Sequence, residues 1–241
     1  MTRKGWFIFT DYVDSCEKLE AMNHHGKIEY SINLSTPYAA FDVEIINDNT
    51  VAVTTGSFYK YNHLRGVSVV DLSQRKVIEF IDLPEDPYGI KYDGTSLICC
   101  VKNKDLHVIS FKDYSITTIP NTVSLGFSYV STHADKILYT NPKENTVYCC
   151  LYDGTPVWEF HDESVLKVPE GITVDDEGNV FVVGCESCNV LIISPEGKHY
   201  KQILNNVHVN RPHAIFLDKS RNQLLMINHA IVANLYNISY S

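Results

Sequence analysis

The sequence predicts an all-β protein, a β-propeller of six blades, and a repeat of about forty residues is the main basis for this prediction. Five short stems recur along the chain, with intervals of 47, 40, 42 and 43 residues between their first positions. The stems are residues 40–43, 87–90, 127–130, 169–172 and 212–215. An apolar run follows each stem after a turn, and short β-rich runs at this period are typical of propeller blades.

The repeat over residues 168–205 shows the four strands of one blade most clearly. A glycine that tolerates positive φ lies in each of its two predicted hairpin turns, residues 175–178 and 195–198. The predicted strands are residues 171–174, 180–184, 190–194 and 199–204. The near-continuous apolar runs of the second strands are typical of sheets buried on both faces. No segment shows a convincing amphipathic helical period.

The two ends of the chain predict incomplete terminal blades. The first blade lacks an inner strand in this pattern, and the last blade lacks an outer strand. One upstream segment would supply both, so we expect a chain that lacks about one hairpin at its N terminus. The predicted blades of a single domain over residues 1–241 are approximately residues 6–34, 36–83, 87–120, 127–161, 168–205 and 211–240.

Composition and charge restrict the classes of partner. The chain has 241 residues with 44% hydrophobic content, enough to bury one large core. It has no apolar run long enough to span a bilayer and no secretory signal, so we expect a cytoplasmic protein without a membrane partner. The net charge of −9 disfavours nucleic acid as a partner, because phosphate binding depends on Lys and Arg. DNA is excluded on this basis, and RNA is disfavoured.

The seven cysteines predict reduced thiols rather than a metal site. The adjacent pairs Cys99-Cys100 and Cys149-Cys150 lie inside predicted strands, where neighbours point to opposite faces and act as small buried apolar side chains. Cys185 and Cys188 form a CxxC motif without the second ligand pair that a zinc site needs. We therefore predict an ordinary hairpin loop there, and neither a metal nor a cofactor in the protein.

A resemblance to a known family rests on residues 168–182. Their sequence, Val-Pro-Glu-Gly-Ile-Thr-Val-Asp-Asp-Glu-Gly-Asn-Val-Phe-Val, resembles the core of an NHL repeat, whose pattern is a Pro-x-Gly-Ile stem, an Asp-x-x-Gly-Asn turn and a Val-Tyr-Val strand. Residues 211–240 match less well and the earlier repeats are degenerate. The whole is similar to the C-terminal propeller of tripartite-motif proteins, in particular the expanded invertebrate (molluscan-type) set.

The resemblance implies a recognition module without catalytic residues. In that family a RING, B-boxes and a coiled coil precede the propeller, and this sequence shows none of their spacings. Any ubiquitin-ligase activity would need a RING domain absent from this chain. The resemblance also implies that the outer-to-inner loops and the second-to-third loops share one face around a central channel, and we expect a protein or peptide to bind there.

The candidate partner-binding residues lie in a long loop and at the stems. The loop of residues 57–65 accounts for the long 47-residue interval, and Tyr and Arg are enriched at binding hot spots. The alternative for this loop is an insertion that folds onto its neighbours. The candidate residues are Phe58, Tyr59, Lys60, Tyr61, His63, Arg65, Phe41, Tyr88, Glu170, Arg211, His213 and His229.

Two other functions remain as alternatives. Some tripartite-motif NHL propellers bind single-stranded RNA on this face, but acidic residues outnumber basic ones in these loops, which favours a basic protein or peptide instead. Glu170 and His213 at the stems also suggest a metal-dependent hydrolase resembling six-bladed lactonases. Only Glu170 is a well-placed carboxylate there, whereas such a site needs three or four converging ligands.

Overall fold

The structure is a computed structural model that describes residues 5–10, 18–34, 40–56, 64–228 and 232–238. These residues form 22 strands in six antiparallel sheets, which confirms the predicted all-β, six-bladed propeller fold. None of the described segments forms a helix of the length and apolarity needed to cross a bilayer.

The strands follow the predicted order of the repeats. They are β1 Phe7–Thr10, β2 Lys18–Met22, β3 Ile28–Asn33, β4 Val43–Asn47, β5 Thr50–Thr54, β6 Gly66–Asp71, β7 Lys76–Asp82, β8 Pro87–Tyr92, β9 Ser96–Val101, β10 Lys104–Ser110, β11 Ile116–Ser124, β12 Val130–His133, β13 Lys136–Asn141, β14 Thr146–Leu151, β15 Pro156–His161, β16 Pro169–Val174, β17 Val180–Gly184, β18 Asn189–Ile193, β19 Tyr200–Leu204, β20 Pro212–Asp218, β21 Gln223–Asn228 and β22 Ala233–Asn237.

The four middle sheets have four strands, and the first and last sheets have three in the part of the chain that the structure describes. Within each sheet the strands lie in chain order. The first sheet is β1-β2-β3 and the last is β20-β21-β22. The prediction of three strands in each terminal blade is confirmed for these residues, while the expected missing hairpin remains a prediction.

In many of the hairpins, an aspartate side chain at the start of the turn accepts hydrogen bonds from the backbone of that turn. Asp175 Oδ1 accepts the backbone N–H groups of Glu177 and Asn179 at 3.0 and 2.8 Å, and Asp175 Oδ2 accepts the Asn179 amide at 2.8 Å. Gly178 follows at a φ of +85°, a conformation that glycine adopts without strain. The Asp175 carboxylate therefore stabilises the predicted Asp-x-x-Gly-Asn turn by accepting hydrogen bonds from the turn's own backbone.

The second strands lie in the core. Residues of β9 and β17 such as Cys99 and Phe181 are fully buried, as the near-continuous apolar runs of these strands predict. The predicted thiol pairs are buried as expected, and the six described cysteines form no disulfide. Burial raises the pKa of the Cys149 thiol to about 11 and that of Cys150 to about 12, so these cysteines act as apolar side chains.

The strands divide into two compact units, residues 1–118 and 119–241. In the first unit, Leu97 and Ile109 belong to a cluster of buried aliphatic residues that joins two neighbouring sheets. In the second unit, Phe181 and Met226 belong to a comparable cluster. Each unit therefore has its own packed interior. The predicted single domain stays a prediction.

The stems carry a feature that the sequence pattern does not show. Where β8, β16 and β20 begin, the pairing with the next strand shifts register, between Pro87 and Ile90, between Pro169 and Ile172, and between Pro212 and Ala214. Such bulges reorient side chains relative to a regular strand. The reoriented residues include Tyr88, Glu170 and His213, all of which are candidate site residues.

Candidate functional site

In the first unit, a buried carboxylate joins loops from two neighbouring sheets. Asp86 Oδ1 lies 3.1 Å from Arg65 Nε, and Asp86 Oδ2 lies 3.8 Å from Lys102 Nζ. Glu85 Oε2 lies 3.4 Å from the Arg65 guanidinium. The Asp86 side chain is 6% exposed, while those of Arg65 and Lys102 are 45% and 42% exposed. The two basic side chains are thus paired with a buried carboxylate and remain partly exposed.

The two stem residues of this unit pack against each other. The rings of Phe41 and Tyr88 meet edge to face, with centroids 4.9 Å apart, and both side chains are buried. Thr54 Oγ1 donates a 2.6 Å hydrogen bond to the Tyr88 carbonyl and fixes the stem. Phe41 and Tyr88 are therefore part of the apolar interior in this conformation and do not offer a broad surface to a partner.

A neighbouring carboxylate, Asp42, links the same two stems. Its Oδ2 accepts the N–H of Ile90 at 2.9 Å and its Oδ1 accepts the N–H of Val43 at 2.9 Å. Burial raises the pKa of Asp42 to about 6, since desolvation of the charged form outweighs these hydrogen bonds and the nearby Lys91. Asp42 is therefore a carboxyl group that titrates close to neutrality.

In the second unit, the equivalent stem positions carry polar groups in hydrogen-bonded series. His213 Nδ1 is bonded to Glu170 Oε2, and His213 Nε2 lies 3.1 Å from the Tyr129 hydroxyl. The Glu170 side chain is 7% exposed and that of His213 is 21% exposed. With Nδ1–H donated to the carboxylate, a neutral His213 accepts the Tyr129 proton at Nε2. Glu170 thus fixes both the orientation and the tautomer of the imidazole.

Unusual backbone geometry surrounds this polar series. Val168 and Arg211, the residues just before the two prolines, have φ values of 52° and 46°, a region that β-branched and bulky side chains rarely adopt. A Cβ on Gly171 would lie 2.8 Å from the backbone nitrogen of Ile215, so only glycine lets the two stems approach. Strain of this kind costs about 1–3 kcal/mol per residue and tends to cluster at functional sites.

The two cysteines of the CxxC motif lie beside this series. The Cys185 thiol is buried and close enough to Glu170 and to the Arg211 side chain for their charges to act on it. Burial raises the pKa of Cys185 to about 11, with the Glu170 charge adding to the rise and Arg211 opposing it. The Cys188 sulfur accepts the backbone N–H of Arg211 at 3.4 Å. The pair occupies the hairpin loop that the sequence predicted.

The structure brings some predicted site residues together and leaves others apart. Glu170, Arg211 and His213 belong to one cluster in the second unit, whereas Arg65 belongs to the ion pairs of the first. The residues predicted from the long loop and near the C terminus lie outside the described residues, so their role stays a prediction: Phe58, Tyr59, Lys60, Tyr61, His63 and His229.

Sequence reasoning missed several members of the two clusters. Asp86 and Lys102 were counted only among the charged residues of the loops. Asp42 and Tyr129 were not predicted as site residues. One available signal was position, since Asp42 and Tyr129 occupy the third place of their stems. Among the described residues, no group of three or more His, Cys, Asp or Glu side chains could hold a metal ion.

No protein-family model and no curated protein sequence matches the chain. Solved structures do match. Streptogramin B lyase is 17% identical with a TM-score of 0.68, and the match covers 100% of this chain and 82% of that one. A catalytically inactive histidine-to-alanine variant of virginiamycin B lyase from Staphylococcus aureus, with quinupristin, is 18% identical with a TM-score of 0.65 and coverages of 99% and 87%.

A chain from the structure of a protein complex also matches. A chain of the nidogen–laminin complex is 13% identical with a TM-score of 0.71, and the match covers 97% of this chain and 93% of that one. Because all these identities are below 20%, the likeness concerns the fold and not the activity. The comparisons thus agree with the six sheets in showing a six-bladed β-propeller.

Proposed function

We propose that this chain is a non-catalytic recognition module that binds a protein or peptide through its loop face, as the propeller of a cytoplasmic, tripartite-motif-like protein. The main observation behind the proposal is that Asp86 forms ion pairs with two basic residues. One buried carboxylate holds Arg65 and Lys102, from two different loops, and both basic side chains remain partly exposed. A surface that is already ordered loses little conformational entropy on binding.

The chemistry beside these ion pairs fits a peptide ligand. Leu64, the neighbour of Arg65 in the chain, is 44% exposed, so this segment offers both an apolar and a basic residue. Arginine is among the residues most enriched at binding hot spots. Glu85 on the adjacent loop is 39% exposed, and the excess of acidic over basic residues in the loops favours a ligand that carries a basic residue. The nidogen–laminin neighbour supports the proposal to the extent that its fold occurs in a protein complex.

A selection from a random peptide library on the immobilised domain tests the proposal. We expect enrichment of peptides with a basic and an apolar residue, and at least about tenfold weaker binding by Arg65→Ala and Leu64→Ala. Lys112→Ala provides the matched control, because Lys112 is an exposed base on a hairpin turn rather than on these loops. Peptides that bind the Arg65→Ala variant as tightly as the wild type would place recognition elsewhere.

RNA binding is tested on the same domain with a pool of short single-stranded RNAs at low and physiological salt. We expect no binding at either salt concentration, since acidic residues predominate in the loops. Salt-sensitive, submicromolar binding would instead identify an RNA-binding propeller.

A catalytic function is the second candidate, favoured by the Glu170–His213–Tyr129 series. A carboxylate-oriented imidazole bonded to a phenol can transfer a proton, and the neighbours of this fold include a lyase with a histidine-to-alanine inactive variant. Mass spectrometry of quinupristin incubated with the protein tests this candidate. Turnover by the wild type that is lost in His213→Ala would overturn the non-catalytic proposal, and an unchanged compound would support it.

A further inference from the structure

Cys185 and Cys188 are the first and last residues of the four-residue turn between β17 and β18. Gly184 and Asn189 pair directly on either side of this turn. The two cysteines lie between this pair, three residues apart in one turn. A turn brings residues at this spacing to a Cα separation below about 7 Å, and a disulfide spans about 4.4–6.8 Å. The Cys188 sulfur lies 3.5 Å from the Cys185 carbonyl oxygen, which places it against the backbone of its potential partner.

The two thiols differ in accessibility and surroundings. Cys185 is 1% exposed, whereas Cys188 is partly exposed. The Cys188 sulfur accepts the backbone N–H of Arg211, and its S–H donates to the Cys185 carbonyl oxygen. Cys99, Cys100, Cys149 and Cys150 are buried in strands. Because Cys188 is partly exposed, a small disulfide can reach its sulfur, and Cys185 is placed to follow.

We propose that the Cys185–Cys188 turn is a thiol-modification site that reacts with a low-molecular-weight disulfide of the glutathione class and closes to an internal disulfide. The Cys188 thiolate attacks one sulfur of the small disulfide, forms a mixed disulfide and releases one small thiolate. Cys185, once deprotonated, attacks the Cys188 sulfur and releases the second. Two protein thiols are oxidised and one small disulfide is reduced to two thiols, which take up the two protons.

The reaction changes the polar series beside it. Closure of the disulfide replaces the Cys185 thiol, which Glu170 and the Arg211 side chain both influence, with a group that cannot ionise. The site goes beyond the proposed recognition function and does not depend on it, because its test reads thiol chemistry alone.

The test is incubation of the full chain with glutathione disulfide, followed by rapid alkylation and peptide mass spectrometry. We expect a Cys185–Cys188 disulfide, formed at least about tenfold faster than any modification of Cys99, Cys100, Cys149 or Cys150. A Cys16→Ser background, with Cys16 outside the described residues, removes competition from the seventh thiol.

Two variants separate the two steps. Cys185→Ser is expected to stop at a stable mixed disulfide on Cys188, and Cys188→Ser to leave Cys185 unmodified in the folded protein. A wild-type protein that accumulates only the mixed disulfide would overturn the internal closure. Modification of Cys188 no faster than that of the buried thiols would overturn the site altogether.

Discussion

The stems of the two units occupy the same place in the repeat and carry opposite chemistry. In the first unit Phe41 and Tyr88 meet as packed rings, and in the second Glu170 and His213 meet as a hydrogen-bonded pair. The bulged backbone is shared by β8, β16 and β20. The repeat therefore determines where this side chain points and leaves its chemistry open. A buried polar pair adds little stability over an apolar one, so its presence favours a functional role.

Truncating the apolar pair should have the largest effect on stability. Tyr88→Ala removes a fully buried ring and leaves a cavity against Phe41, so we expect a loss of about 3–5 kcal/mol in the free energy of unfolding. Urea denaturation measures it. Tyr152→Ala is the control, because Tyr152 is 36% exposed and its removal should change stability by less than about 1 kcal/mol. Equal losses for both variants would mean that the stem rings are not part of the core.

Breaking the polar pair should have the next largest effect, and exchanging it should restore most of the loss. Glu170→Ala leaves His213 without its buried acceptor and is expected to cost about 3 kcal/mol. The double variant Glu170→Phe with His213→Tyr places the aromatic pair of the first unit at these positions. Its free energy of unfolding should lie within about 1 kcal/mol of the wild type. Thermal unfolding of the three proteins decides the point. A double variant as unstable as the single one would show that the two stems are not interchangeable.

The Asp42 carboxyl should make stability depend on pH. Its pKa in the folded protein, about 6, lies above the ordinary value of 3.8, so the folded state binds the proton more tightly. Protonated Asp42 therefore stabilises the folded state. This contribution is complete below the pKa of Asp42 in the unfolded chain and is lost as the pH rises through its pKa in the folded protein. We expect a decline of at most about 3 kcal/mol between these values, absent in Asp42→Asn, from urea titrations at a series of pH values. Parallel curves for both proteins would contradict the shift.

Removing the phenol hydroxyl should have the smallest effect. Tyr129→Phe keeps the ring against His213 and deletes one hydrogen bond, so we expect a loss of about 1 kcal/mol. Urea denaturation measures the loss. Tyr200→Phe, on an exposed residue of β19, should leave the free energy of unfolding unchanged.

The sequence predicted what depends on local pattern. The strand order, the Asp175 turn and the burial of the adjacent cysteine pairs all follow from period, capping chemistry and alternation, and the structure confirms them. It could not predict the link from Asp42 to Ile90, 48 residues apart, because that contact depends on how two sheets pack. The positive φ values of Val168 and Arg211 gave no signal either, since neither residue is a glycine.

The candidate site shows the same division. Glu170 and His213 were identified from their shared stem position, but their direct bond depends on the close approach that Gly171 permits. The contribution of Asp86 depends on its burial, which a charge count over the loops does not reveal. The residues of the long loop, 57–63, lie outside the described part and remain a prediction from composition.

The buried cysteines also give the protein a set of internal probes of local opening. Three consecutive sheets carry them, with Cys99 and Cys100 in β9, Cys149 and Cys150 in β14, and Cys185 at the end of β17. A buried thiol reacts with an alkylating reagent only when its own segment opens. The order in which these sites become labelled would therefore show whether the blades open one at a time or together.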